Sequence, residues 1–411
     1  MTTTHDSHGD HAGHGAHARP AWQKMTPRDP AEPHRPATPL ELLFDLCFVV
    51  AIAQAASGLH HAMAHGVFAP ALVGYCMVFF AIWWAWMNFT WLASAYDTDD
   101  VPWRLTVLLQ MVGVLILAAG VPRAFDRGDF GVITVGFAVM RVALIVNWLR
   151  AARADRVRRR TALRYACGLA VCQTAWVAMA WLPTDTWGKV FWLMLPAELL
   201  VPVWAEAAER TTWHAAHIAE RYGLLTIIVI GETVLSITLS MQRAIDATAL
   251  TPDLVGAVVG SVLFMFSMWW LYFEVPAHAL LRSFGAAFVW GYGHYAVFAA
   301  TAAVGAGIAV NIDYQLGAAH ISAFQSGAVV GVPVAIYVVT LWLLHFRRLR
   351  RDLVMTAASW ACAGACIGAA FTAVPVLLIG AAIAALTAAA VWCRRRHRAE
   401  TAGGKATGAH A

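Results

Sequence analysis

Charge is what this chain has least of. Of its 411 residues only 13% are Asp, Glu, Lys or Arg, about half the share of an average soluble domain. Long runs of apolar residues recur from Pro39 to Cys393. Each approaches the roughly 20 residues that cross a bilayer core of about 30 Å. No soluble fold needs so many, so a water-soluble globular protein is excluded. A nucleic-acid footprint is missing too. The net charge of +5 comes from basic residues in short loops between apolar runs, where cations orient a membrane protein. None of the seven cysteines (Cys47, Cys76, Cys167, Cys172, Cys362, Cys366, Cys393) forms a Cys-x-x-Cys pair, and they read as small buried hydrophobes. The first 38 residues contain no apolar stretch of the kind a signal peptide needs. Paired nucleophiles and bases are absent and metal-ligand clusters are weak, so neither an enzyme nor a cofactor is expected.

What is present is hydrophobicity, 60% of the chain. It falls into twelve apolar segments, at about 39–58, 67–91, 103–121, 130–149, 162–182, 188–205, 217–241, 252–274, 286–310, 323–345, 353–372 and 374–393. The expected fold is all-α, a polytopic membrane protein of about twelve transmembrane helices. Cations concentrate in alternate loops: Arg150, Arg153, Arg156, Arg158, Arg159 and Arg160 in the fourth, Arg347, Arg348, Arg350 and Arg351 in the tenth. Arg394, Arg395, Arg396, Arg398 and Lys405 follow the last segment, and the first, ninth and eleventh loops have no Lys or Arg. This bias places both termini in the cytoplasm. Residues 1–38 read as a disordered His/Pro-rich tail whose removal through residue 35 should leave folding intact. Residues 394–411 read as a basic tail. His5, His8, His11, His14 and His17 recur every third residue and could bind zinc, nickel or copper weakly, although no closed four-ligand site is specified.

The two halves resemble each other. Phe80-Ala81-Ile82-Trp83-Trp84-Ala85-Trp86 in the second segment matches Phe266-Ser267-Met268-Trp269-Trp270-Leu271-Tyr272 in the eighth. Trp148-Leu149 and Trp342-Leu343 each precede an arginine-rich loop at the same spacing. These matches predict two parallel six-helix repeats, 39–210 and 211–393, related by an axis along the membrane normal.

A charge near mid-bilayer costs about 2.5–3.5 kcal/mol on insertion scales, so each one needs a reason. Thr38-Pro39-Leu40-Glu41 reads as a capped helix start, with Glu41 in a capping box. Asp45 lies one turn deeper on the same face, among Leu and Phe. Glu232 sits inside the seventh segment. Asp45 precedes Trp83 by 38 residues and Glu232 precedes Trp269 by 37, which predicts near-equivalent places facing one interior. Arg141, His294 and Glu198 are candidate partners. Pro196 and Pro202 are expected to interrupt the sixth helix and free carbonyls around Glu198. Glu220 and Arg221 read as interfacial, and His214, His217 and Glu220 step by three, as one metal-facing edge would.

Several of these stretches resemble the bacterial low-temperature-requirement A family. Glu41-Leu42-Leu43-Phe44-Asp45-Leu46, continuing to Gln54, is similar to the family's first-helix signature. Tyr96-Asp97-Thr98-Asp99-Asp100 resembles its acidic loop. His217 to Leu224, with Glu220 and Arg221, then Ile230-Gly231-Glu232, resembles a second signature. Trp290-Gly291-Tyr292-Gly293-His294-Tyr295 resembles a third. Cys47 stands where Val is usual. The resemblance implies a multi-pass membrane protein linked to growth in the cold, and no particular reaction. A fainter similarity reaches six-plus-six-helix potassium channels with Phe-Ser-Asp on the first helix, but Phe44-Asp45 here lacks the serine.

The reading that follows is a translocator of a small solute or ion, with Asp45 and Glu232 at or near the path and Glu41, Glu198, Arg141 and His294 around it. Its partners would be the lipid bilayer and the translocated species. The alternative is a non-transporting scaffold or sensor in which the acids only lock helices together. The topology has a direct test. In a cysteine-free background, a single cysteine at position 156 should resist membrane-impermeant maleimide in intact cells and label after permeabilisation. Labelling from outside contradicts twelve spans with an internal N-terminus.

Overall fold

The computed structural model of this chain describes residues 21–33, 35–183, 186–246, 251–347 and 352–408. Among them there are twelve α-helices and no strand: α1 Pro39–Ala64, α2 Phe68–Tyr96, α3 Val101–Arg127, α4 Gly131–Ala154, α5 Arg159–Ala178, α6 Trp187–Glu206, α7 Ala215–Asp246, α8 Pro252–Phe273, α9 Phe284–Gln315, α10 Ala323–Leu341, α11 Leu353–Gly368 and α12 Pro375–Gly408. Eleven are long and apolar enough to span a membrane. The exception, α5, begins with Arg159, Arg160 and Arg164, and packs between α4 and α6. The chain is a multi-pass, all-helical membrane protein. Its outer surface carries Leu, Val, Ile and Trp, as a surface solvated by lipid can.

Helix starts follow local chemistry. Thr38 caps α1: its hydroxyl accepts from the Glu41 N–H at 3.2 Å, while the Glu41 carboxylate accepts from the Thr38 N–H at 2.8 Å. Thr38 and Glu41 thus satisfy two amides that would otherwise lack partners. The sixth helix departs from expectation: α6 is continuous through Pro196 and Pro202. Proline is tolerated in a membrane helix where neighbours satisfy the carbonyls it leaves. The Tyr292 hydroxyl donates to the Leu199 carbonyl at 3.1 Å, beside the residue whose carbonyl Pro202 cannot bond.

The centre of the bundle is built from α2 and α9. Trp84, Trp86, Phe89 and Trp290 are wholly buried there. Small residues bring other helices close, because packing rather than water exclusion drives association in lipid. A Cβ on Gly113 of α3 would lie 2.7 Å from the Gly136 carbonyl of α4. Extensive contacts run between α1 and α3, α3 and α4, α4 and α5, and α5 and α6. The same order recurs in α7–α9, α9–α10, α10–α11 and α11–α12. It departs at α8–α12, which is among the largest interfaces although α2 and α6 scarcely meet along their backbones. The matched tryptophan motifs also differ in setting. Trp83 and Trp84 are buried, whereas Trp269 and Trp270 are nearly half exposed on the outside of α8.

The N-terminal stretch is corrected. His5, His8, His11, His14 and His17 lie outside the described residues, but residues 21–33 and 35–38, although mostly exposed, are anchored at a few buried points. Met25 is buried in the core. Gln23 N–H donates to Asp100 at 3.0 Å and Arg28 N–H to the Ala95 carbonyl at 2.9 Å. The buried Arg35 guanidinium donates to the carbonyls of Ser94 and Ala93, and burial lowers its pKa to about 10. Composition missed this because anchoring needs only one Met and one Arg, not an apolar face. Truncation through residue 35 should therefore destabilise the protein. Arg35→Ala, which strands carbonyls at the end of α2, should cost about 1–3 kcal/mol, read as a lower melting temperature in detergent. Unchanged melting of both variants contradicts the anchoring.

Candidate functional site

The site begins with the capping box. Because Glu41 is fixed at the first turn of α1, Asp45 lies one turn further along the same face. Opposite stands a second pair at the same spacing, His217 and Arg221 on α7. Asp45 lies six residues after Pro39, and Arg221 six after Ala215, so the two pairs meet at one level. Arg221 Nη1 is 2.7 Å from Glu41 Oε1, and Nη2 is 2.6 Å from Asp45 Oδ1. His217 Nε2 lies 3.2 Å from Glu41 Oε1. Trp86 of α2 donates its indole N–H to Asp45 Oδ1 at 2.7 Å. All five side chains are buried. Phe44 packs beside them on Phe89, with ring centroids 4.1 Å apart.

The cluster holds more acid than base. Glu41 and Asp45 supply two carboxylates, and Arg221 one guanidinium. Arg35 and Asp97 lie within electrostatic reach of Glu41, and adding them leaves one acid in excess. Burial, with the charge of Glu41 next, raises Asp97 to about pKa 6. One proton would balance the charges of Glu41, Asp45, Asp97, Arg35 and Arg221.

A second charged pair lies in the first half. Arg141 Nη2 of α4 is 2.6 Å from Glu198 Oε2 of α6. Glu198 also accepts the indole N–H groups of Trp84 at 2.8 Å and Trp176 at 2.9 Å. Arg141 and Glu198, both named as partners for Asp45 or Glu232, are thus partners of each other. Trp84 and Trp86 put α2 against both clusters.

Glu232 does not join Asp45. It lies eleven residues beyond Arg221 on α7, about 16 Å deeper at 1.5 Å per residue. It is half-buried, and no hydrogen bond or ion pair to it is seen among the described residues. The spacing to Trp83 and Trp269 misled because those tryptophans occupy unlike settings. Gly231 is exposed beside it, with open space where a Cβ would stand. His294 is buried among aromatic rings. Its Nδ1–H donates to the Trp290 carbonyl at 2.7 Å, and its Nε2 accepts from the Tyr272 hydroxyl at 3.0 Å. Glu220 is exposed and accepts from the Ala37 N–H at 3.3 Å, so His214, His217 and Glu220 do not share one edge. Arg221, read as interfacial, is wholly buried and central. The signal for it was available: two pairs of opposite character, each at i and i+4. The indole donors carried no comparable signal, since nothing in a Trp-rich helix says which N–H meets a carboxylate.

The family model described as bacterial low temperature requirement A protein matches residues 36–392. A curated protein of Rhizobium meliloti (strain 1021), named only as an uncharacterized protein, is 27% identical over 323 residues, covering 74% of this chain and 76% of that one. No solved structure matches.

Asp45 and Glu232 should respond differently to neutralisation. Asp45→Asn weakens the compensation of a buried guanidinium and should cost about 3–5 kcal/mol, the range for breaking a buried pair. Glu232→Gln breaks no visible pair and should leave melting unchanged or raised. Thermal unfolding in detergent separates them, and equal stability of both variants contradicts the assignment.

Proposed function

From the premise that this chain belongs to the bacterial low temperature requirement A family, we propose that it translocates a small solute or ion across the bacterial plasma membrane, with both termini in the cytoplasm. The observation that carries this reading is the position of α2 between two buried charged clusters. Trp86 donates to Asp45 on one side and Trp84 to Glu198 on the other. Buried charge is costly in a bilayer, and an ionisable residue inside the membrane is by default a candidate for a functional site. The α1–α7 cluster needs one proton for neutrality. Gaining or losing that proton shifts how Arg221 is shared between Glu41 and Asp45, and so the bond of Asp45 to Trp86 and the hold on α2. A proton arriving at Glu41 and His217 is thereby linked to movement beside Glu198. The recurring neighbour order of α1–α6 and α7–α12 supports two repeats that move against each other, the usual arrangement for alternating access. No catalytic step is assigned, and the partners are the lipid and the translocated species.

One observation favours the second reading, a membrane scaffold or sensor for growth in the cold. The ion pairs of Arg221 with Glu41 and Asp45 clasp α1 to α7 whether or not anything moves. Reconstitution decides between them. Wild-type proteoliposomes should show flux of at least one species from a panel of protons, alkali cations, halides and small neutral solutes. Trp86→Phe, which keeps the ring and removes the N–H, should melt within a few degrees of wild type and lower that flux about tenfold or more. An absence of flux across the panel with folded wild-type protein favours the scaffold.

A further inference from the structure

Where α8 lies against α12, Gly260 and Gly380 bring the backbones together: a Cβ on Gly380 would be 2.7 Å from the Gly260 Cα. The corresponding helices of the first half, α2 and α6, are held apart. A cavity of about 50 Å³ lies between them, lined by Phe80, Ala81 and Trp84 of α2, Phe137 of α4, Gln173 of α5 and Glu198 of α6. The walls are mainly apolar, about half of them aromatic. Gln173 is only 8% exposed, and neither its amide oxygen nor its amide nitrogen has a hydrogen-bond partner among the described residues. A buried amide in that condition is costly unless an acceptor and a donor sit against it together. Glu198, the one acid on the wall, is already compensated by Arg141 and bonded by two indoles. A charged solute would therefore enter without a counter-charge, whereas a neutral one meets apolar rings and one unsatisfied carboxamide.

We propose that this cavity binds a small neutral solute of the primary-amide class, whose C=O and N–H groups pair edge to edge with the Gln173 carboxamide while its apolar end lies against Phe80 and Phe137. One water needs roughly 10–15 Å³ of such space, so the cavity takes a solute of about three to five non-hydrogen atoms. Acetamide fits this description. Acetone, of the same heavy-atom count, offers an acceptor but no donor. The proposal rests on the translocation reading for what the bound solute is for, while the site itself stands on the cavity and Gln173.

The test uses the full chain, purified in detergent and reconstituted, with [14C]acetamide as the probe. Wild-type protein should bind it saturably, in the millimolar range or tighter, and acetone should not compete at equal concentration. Gln173→Leu replaces an unsatisfied amide by an apolar group of similar size and should melt at or above the wild-type temperature. Ala81→Leu fills the cavity from the opposite wall and leaves Gln173 in place. Each should weaken binding at least tenfold. Absence of saturable binding to folded wild-type protein overturns the site. So does binding that persists in both folded variants, or acetone competing as well as acetamide, since a purely apolar crevice would behave that way. Counterflow in proteoliposomes separates this inference from the reading beneath it. Saturable binding without counterflow keeps the site and removes translocation of this solute. Flux of other species without acetamide binding removes the site and keeps translocation.

Discussion

A guanidinium with no solvent exposure is the constraint from which most of this structure follows. Arg221 is wholly buried in a bundle whose outer surface is hydrocarbon-like, and an uncompensated charge there is untenable. Two carboxylates answer it, and both must come from a neighbouring helix held at a fixed level. The capping box at Thr38 and Glu41 sets that level by fixing where α1 begins. The spacing from Glu41 to Asp45 then presents both acids on one face. Helix start, helix register and interhelical pairing are one interlocked arrangement, since the Glu41 carboxylate takes part in all three.

The remainder of the core is arranged around this clasp. The N-terminal segment closes over the same end of the bundle, with Arg35 on the last carbonyls of α2 and Met25 in the core. α2, the most aromatic helix, turns one indole toward Asp45 and another toward Glu198. Its position is therefore fixed by hydrogen bonds to two acids and not by packing alone. Hydrogen bonds are directional and can be exchanged, whereas close-packed glycine interfaces such as α8–α12 resist small displacements. A cavity lies beside the bonded α2, between it and α6, whereas α8 and α12 meet by backbone contact.

The membrane architecture was legible because hydrophobic length is a one-dimensional signal. The apolar segments fell on the helices, and the Thr38 cap and first turn of α1 were read to the residue. The site was legible only in its members. Glu41, Asp45, Arg141 and Glu198 stood out because charge in apolar sequence is conspicuous, but pairing is set by three-dimensional level and facing. Asp45 was matched to Glu232 through tryptophans that look alike in sequence and differ in burial. Its partner is Arg221, which sequence context assigned to the interface. Proline in α6 was read as a break, whereas the helix runs on through Pro196 and Pro202. The N-terminal segment was misjudged for a related reason: low hydrophobicity argues against a core, not against one buried arginine on helix-end carbonyls.

The central claim is that Asp45 and Arg221 stabilise the fold through each other. A double-mutant cycle on thermal or denaturant unfolding measures this directly, using Asp45→Asn, Arg221→Gln and the combined variant in the full chain. The account predicts strong non-additivity, with the double variant less destabilised than the sum of the single changes by about 1–3 kcal/mol, as expected for residues in one buried network. Additive effects within about 0.5 kcal/mol would mean that the two groups act independently, and would contradict the clasp on which the rest of the account depends.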